Sequence, residues 1–356
     1  MKILNVITDS NIGGAGIVLI NYLRYANRGG AEHCVVMPRD SLLKPRIDAL
    51  GVRVVELDGI AERSFSIAAI SAFSRLLSEE RPDVVHTHGC LSARLAAKLL
   101  RPFSRRAPYI VFTRHCIGER GMKLSGAINN ALADRIIAIS DAARDELLAM
   151  GVKPGKIETM YNGSPPLTAL SESEKRSVRA AHKLEGFTVA IVGRLEPVKG
   201  HAYVLESAAQ LPHVRFLIAG TGSLEDQLRS SAPPNCVFTG FISDVAHVLS
   251  VCDVQLNAST YSETSSLSII EGYSLGVPAI ATDVGGNPSI VLDGESGLIV
   301  PPYDSTAIAD AIRTLERDRA LLRRMSDRAL ELYRSRFTAE AMASRIDSVY
   351  KEIMTR

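Results

Sequence analysis

The sequence predicts an α/β protein made of two doubly wound domains, each a parallel sheet covered by helices. Three observations lead there. Short β-branched runs alternate with helix-length segments through residues 2–150; the alternation breaks in a Pro- and Ser-rich stretch at 161–177; it then restarts and continues to 301. A chain of 356 residues is also longer than one ordinary core accommodates.

In the first half the runs are KILNVIT (2–8), HCVVMP (33–38), VRVVEL (52–57), DVVHTH (83–88), YIVFT (109–113) and RIIAIS (135–140). Apolar residues near helical spacing fill 16–28, 66–80 and 141–150. The second half supplies FTVAIVG (187–193), VRFLIAG (214–220), CVFTG (236–240), DVQLNAS (253–259), PAIATD (278–283) and GLIVP (297–301). A terminal segment from Phe337 has Thr338 as its N-cap and Ala341, Ile346, Val349, Tyr350 and Ile353 as an apolar stripe. In such folds ligands sit beyond the carboxyl ends of the strands, so the loops after each strand, facing across a cleft between the domains, are the expected site.

Composition narrows the function classes. With 46% hydrophobic and 22% charged residues the chain is globular, and no window approaches the ~18 consecutive apolar residues of a membrane span. The start, MKILNVITDS, reads as a buried strand and not as a signal peptide. Five cysteines without a CxxC spacing argue against a disulfide framework or a metal site and for reduced thiols in a cytoplasm. Residues 1–165 carry 22 Lys+Arg against 16 Asp+Glu, whereas 166–356 carry 19 against 23, so the halves face different partners. Arg94, Lys98, Arg101, Arg105 and Arg106 fall in an acid-free stretch that reads either as a solvated helix face and loop or as a dock for anionic lipid or phosphate, the lipid giving a peripheral position at the inner membrane face. Aromatics at 5% and the lack of a recognition module exclude nucleic acid as the expected partner.

The strand ends hold the chemistry. Gly13, Gly14 and Gly16 open a helix after the first strand, where backbone N–H groups face an anion; the alternative is tight packing. No G-x-G-x-x-G is present, which leaves a dehydrogenase without its fingerprint. In VGRLEPVKG, Gly193 and Gly200 bracket Arg194 and Lys199, a planar fork and a point charge suited to a diphosphate, or else two solvated loop cations. Glu263 lies before a helix and Glu271 inside it, in STYSETSSLSIIEGYSLGVP. They bracket a helix N-terminus whose N–H groups, at Ser266 and Leu267, suit phosphates, while the carboxylates accept sugar and ribose hydroxyls. A capping carboxylate and a surface glutamate are the plainer reading of that pair.

Taken together and in order, GGAG, RPDVVHTHG, VFTRHCIG, ADRIIAISDAARDEL, KIETMYNGS, VGRLEPVKG, IAGTGSLEDQL, TGFISD, the E-x7-E pair and GVPAIATDVGGNPSIVLDGESGLIVPP resemble the family-four retaining glycosyltransferases of the GT-B fold, two facing Rossmann-like domains. The resemblance spans essentially the whole chain. It implies an acceptor-side domain at 1–165, a nucleotide-sugar domain at 166–336, and a terminal helix at 337–356 crossing back to the first. It also implies that Glu263 contacts donor-sugar hydroxyls, Glu271 the ribose, Arg194 and Lys199 the diphosphate, Gly14 the phosphates, and His115 the donor sugar. His88 is expected to be structural or acceptor-side. Many members have EGFGL where this chain has ETSSL, so Thr264 and Ser266 replace glycines and restrict backbone approach to the phosphates.

The implied reaction is transfer from a nucleotide diphosphate-sugar, UDP-sugar ahead of GDP-sugar, to an envelope glycan, a lipid-linked or a small-molecule acceptor. The acceptor hydroxyl attacks from the leaving-group face. No Asp-x-Asp pair is present, and Arg194, Lys199 and the helix N-terminus are expected to replace a metal, with no cofactor beyond the co-substrate. A nucleotide-sugar epimerase, a phosphorylase and a non-catalytic sugar-nucleotide-binding protein remain open on the same architecture.

Overall fold

The computed structural model describes residues 1–26, 30–60, 66–103, 107–118 and 123–355. The chain forms two compact units, Met1–Gly163 together with Ala339–Arg356, and Ser164–Thr338. The strands of the first unit are β1 (Lys2–Ile7), β2 (Glu32–Pro38), β3 (Arg53–Leu57), β4 (Val84–His88), β5 (Tyr109–Arg114), β6 (Arg135–Ala138) and β7 (Ile157–Thr159). They pair in parallel in the order β3-β2-β1-β4-β5-β6-β7. Its helices before the crossover are α1 (Gly14–Tyr25), α2 (Lys44–Asp48), α3 (Ile67–Glu80), α4 (Leu91–Leu99), α5 (Lys123–Leu132) and α6 (Asp141–Ala149).

The second unit has β8 (Thr188–Val192), β9 (Arg215–Ala219), β10 (Cys236–Gly240), β11 (Val254–Asn257), β12 (Ala279–Thr282) and β13 (Gly297–Val300), in the order β10-β9-β8-β11-β12-β13. Its helices are α7 (Glu172–Ala181), α8 (His201–Ala209), α9 (Glu225–Ser231), α10 (Ala246–Leu249), α11 (Leu267–Ser274), α12 (Asn287–Ile290), α13 (Ser305–Arg317) and α14 (Arg319–Leu332). The chain closes with α15 (Ala339–Met354), which belongs to the first unit. Each sheet is parallel and doubly wound, as the alternating pattern predicts.

Continuous apolar strands are what a sheet buried on both faces requires. Ile3, Leu4, Val6 and Ile7 of β1, and Val189 and Ala190 of β8, are fully buried. The strand order reverses between β1 and β4 in the first sheet and between β8 and β11 in the second. Ligand sites of doubly wound sheets lie outside the carboxyl ends at such reversals. The loops after β8 and β11, and those after β1 and β4, therefore matter most.

Two segments differ from the pattern expected of the sequence. Residues 172–177, part of the Pro- and Ser-rich stretch at which the strand–helix alternation is expected to break, lie in α7, because Ser171 and Glu174 form a reciprocal capping box, with Ser171 N donating to the Glu174 carboxylate at 2.8 Å. The S-x-x-E spacing outweighs the Pro- and Ser-rich composition. In α15, Ala341 is exposed and is not part of the stripe; helical phase instead buries Met342, Ala343, Ile346, Val349, Tyr350 and Ile353. This face is anchored in the first unit by polar groups as well, since Tyr22 OH of α1 donates to Asp347 at 2.9 Å.

Candidate active site

Three backbone contacts fix the loop after β8. Gly193 N donates to Ala219 O at 3.0 Å and Leu195 N to Thr221 O at 2.9 Å, while Thr260 N, beyond β11, donates to Val198 O at 2.9 Å. Gly200 has φ +65°, and a Cβ there would stand 2.0 Å from the Ala258 carbonyl oxygen, so both its conformation and its neighbour demand glycine. His201, buried at the start of α8, bonds the Arg194 carbonyl through Nε2 at 3.0 Å and closes the loop on itself. Burial lowers the pKa of its imidazole, so it is neutral and Nε2–H is the donor. The Arg194 side chain is exposed, and a Cβ at Gly193 would meet nothing within 4 Å.

Lys199 reaches from this loop to the loop after β11. Its Nζ donates to Glu263 Oε2 at 2.5 Å. The same oxygen accepts from Asn257 Nδ2 at 3.1 Å and from Ser259 Oγ at 3.0 Å. Glu263 is buried, yet the hydrogen bonds of its carboxylate among the described residues converge on Oε2, which leaves Oε1 for a ligand. Lys199 uses one of three N–H groups. Asn257, the last residue of β11, also donates to Ser266 Oγ at 2.9 Å and accepts from Ser259 N at 3.1 Å. It thereby sets both the carboxylate and the hydroxyl that precedes α11.

Ser266 and Leu267 sit at the N-cap and first position of α11, which has no side-chain cap. Its leading N–H groups are therefore available to an anion. Ser266 Oγ is held by Asn257 and pairs with Ser268 Oγ at 3.0 Å, whereas Ser265 Oγ is buried without a partner among the described residues. Glu271 lies inside α11, and burial pushes its carboxyl up to about 7. Such a group, poised near neutrality without a ligand, is of the kind found at functional sites.

In the first unit Gly14 opens α1, and a Cβ there would meet nothing within 4 Å among the described residues. Gly16 is instead a packing glycine, since its Cβ would stand 2.6 Å from Leu43 Cδ2. His115 directly follows β5 and stacks on His88, which ends β4, with ring centroids 5.1 Å apart and His88 Nδ1 2.8 Å from His115 Nε2. Burial pushes the pKa of His115 down to about 4 and that of His88 well below its usual value. His86 bonds Tyr350 OH of α15 through Nδ1 and Thr113 Oγ1 through Nε2, both at 2.6 Å.

Residues 12–166 match the family model described as Glycosyltransferase Family 4, and residues 172–332 match the model described as Glycosyl transferases group 1. The chain belongs to the family-four glycosyltransferases. It is 24% identical over 364 positions to the N-acetyl-alpha-D-glucosaminyl L-malate synthase of Bacillus anthracis, covering 97% of this chain and 95% of that one. Among solved structures it resembles Anabaena HepE in complex with UDP, with a TM-score of 0.86 at 22% identity, covering 99% of this chain and 100% of that one. HepE in complex with UDP-glucose gives a TM-score of 0.84 at 21% identity, with coverage of 99% and 100%. The fold of this glycosyltransferase is GT-B.

The basic stretch of the glycosyltransferase is not a five-cation surface. Arg94 is buried, because helical phase turns it from α4 onto the Phe112 ring, 4.1 Å from the centroid, and to Asn129 Oδ1 at 2.7 Å. Burial pushes its guanidinium down to about 10. Arg101 is ion-paired with Asp134, Lys98 is partly exposed, and Arg105 and Arg106 lie outside the described residues. Among the described residues no helix is long and apolar enough to cross a membrane. Sequence reasoning missed Asn257 and His201, because a strand-end asparagine and a helix-start histidine carry no motif of their own.

Proposed function

We propose that this glycosyltransferase moves a sugar from a nucleotide diphosphate-sugar to an envelope-glycan, lipid-linked or small-molecule acceptor, with retention of anomeric configuration and without a metal. Residues 1–165 serve the acceptor and 166–336 hold the nucleotide-sugar. The observation that carries this reading is the Lys199–Glu263 pair ahead of the uncapped α11: a cation, a carboxylate with one open oxygen and a row of N–H groups within one loop pair.

In this reading Arg194 and Lys199 meet the diphosphate, and their charge matters most as it departs, because fixed donors stabilise charge that develops in the transition state. The α11 N–H groups at Ser266 and Leu267, and the open helix start at Gly14, bind phosphate oxygens. Glu263 Oε1 accepts donor-sugar hydroxyls and ionised Glu271 accepts the ribose. His115 contacts the donor sugar. The acceptor hydroxyl attacks from the side the diphosphate leaves, and the departing phosphate takes its proton, so neither glutamate is a hydrolase-type acid/base. UDP-sugars are favoured as donors; the likeness to a protein solved with UDP and UDP-glucose supports that choice.

A thermal-shift series with UDP, GDP, ADP and their sugars tests the reading. UDP at about 100 times its dissociation constant adds about 2.7 kcal/mol to stability, a clear rise in midpoint. A flat response to every nucleotide would overturn it.

A further inference from the structure

We infer that His88 is a positioning residue for His115: it donates from Nδ1–H to His115 Nε2, holding His115 as the Nδ1–H tautomer, a neutral donor that cannot take a proton from an acceptor hydroxyl. The two rings come from neighbouring strands, β4 and β5, and share one short contact, His88 Nδ1 to His115 Nε2 at 2.8 Å. A single proton must lie between those nitrogens, because both histidines are neutral through burial.

That proton has two homes. If it belonged to His115 Nε2, neutral His88 would carry its own proton on Nε2, which is buried without a partner among the described residues. If it belongs to His88 Nδ1, the buried Nε2 is a bare lone pair and no N–H is orphaned. A buried N–H without an acceptor is the rarer state. The neighbours do not reverse this choice. His86 stacks against His88 with centroids 4.4 Å apart, but both its nitrogens are engaged, by Tyr350 and Thr113. His33 and His115 act on His86 only as charges that disfavour its protonation.

The consequence for His115 is chemical. Nε2 is occupied as an acceptor and Nδ1 carries the proton, so the ring offers a ligand one N–H and no lone pair. His115 then donates to a sugar or leaving-group oxygen and is excluded as the base. This functional half rests on the proposed contact between His115 and the donor sugar; the tautomer itself does not.

Nitrogen NMR of the ligand-free protein, labelled at histidine and assigned with the His115→Gln variant, reads the tautomer directly. The expected spectrum has His115 Nδ1 at the protonated, pyrrole-type position and Nε2 at the pyridine-type position, unchanged from neutral pH to about 5.5. A protonated His115 Nε2 would overturn the inference, as would titration near its ordinary value. His88→Leu is expected to mix the His115 tautomers and to lower kcat by about tenfold with donor KM changed less than about twofold. His88→Asn, whose amide N–H replaces Nδ1–H, is expected to restore most of both; equal loss in Leu and Asn variants would mean a packing role only. A chain that shows the tautomer but uses no nucleotide-sugar would sink the transferase reading and leave the tautomer supported.

Discussion

Lys199 Nζ and Glu263 Oε2 stand 2.5 Å apart and join the loop after β8 to the loop after β11. The pair is unequal in exposure, with the Lys199 side chain 26% and the Glu263 side chain 8% accessible. The carboxylate is therefore the partner that suffers most if the pair is broken, although Asn257 and Ser259 remain to satisfy it. Lys199→Ala is expected to cost about 1–3 kcal/mol of stability in urea unfolding and to reduce turnover by about 10²-fold to 10³-fold. Nucleotide affinity should fall much less. Near-normal turnover in the variant would remove Lys199 from the leaving-group role.

The two glutamates should separate by readout. Glu263→Ala is expected to leave binding of the bare nucleotide nearly intact and to damage use of the sugar, whereas Glu271→Ala weakens the bare nucleotide. Calorimetric titration with UDP and with UDP-sugar decides this, and equal loss of UDP affinity in both variants would mean that the roles are misassigned.

Glu271 gives a pH dependence of definite sign. Its carboxyl is raised to about 7 by burial, so the free protein holds a proton there in mildly acidic solution. A ribose hydroxyl is bound best by the ionised form, so UDP affinity should rise as pH increases through about 7. Glu271→Gln should flatten that rise. Affinity that falls with pH over the same range would place the ribose elsewhere.

Stability should respond to acid through the buried histidines. His86, pushed down to about 3, His115, pushed down to about 4, and His88 are neutral in the fold and protonate near 6.5 when unfolded. Their contribution is present above about 6.5 and is lost as pH falls towards their folded values. Glu271 works the other way, its raised value favouring the fold as pH drops from about 7 to its ordinary value. His201, also lowered by burial, adds to the same side, and these histidines outweigh the one glutamate, so the urea midpoint should fall between about pH 7 and pH 5. Tyr350→Phe removes the hydroxyl that partners His86 and should cost about 1–3 kcal/mol at neutral pH. An unchanged midpoint would show that the hydroxyl adds nothing.

The fold was legible because its signals are repeated: each β-branched run is a strand, and their boundaries shift by only a few residues. β7 was not, since three residues, Ile157–Thr159, are too few to show a period. In the site, Lys199 and Glu263 are legible as charges at strand ends, but their contact is not, because 64 positions separate them and only the order of β8 beside β11 joins them. The same limit hid the His88–His115 stack, which adjacent strands create. Arg94 was misread for a different reason. A charge in a basic run looks solvated until helical phase turns it onto Phe112.

The proposed reaction is retaining transfer from a nucleotide-sugar at the Arg194–Lys199 loop and the α11 N-terminus. Proton NMR of the first-formed product, made from an α-linked UDP-sugar in the presence of EDTA, tests it most directly. An α-linked product is expected, seen in the anomeric coupling, with Lys199→Ala nearly silent in the same assay. A β-linked product, or activity that vanishes in EDTA and returns with magnesium, would contradict it.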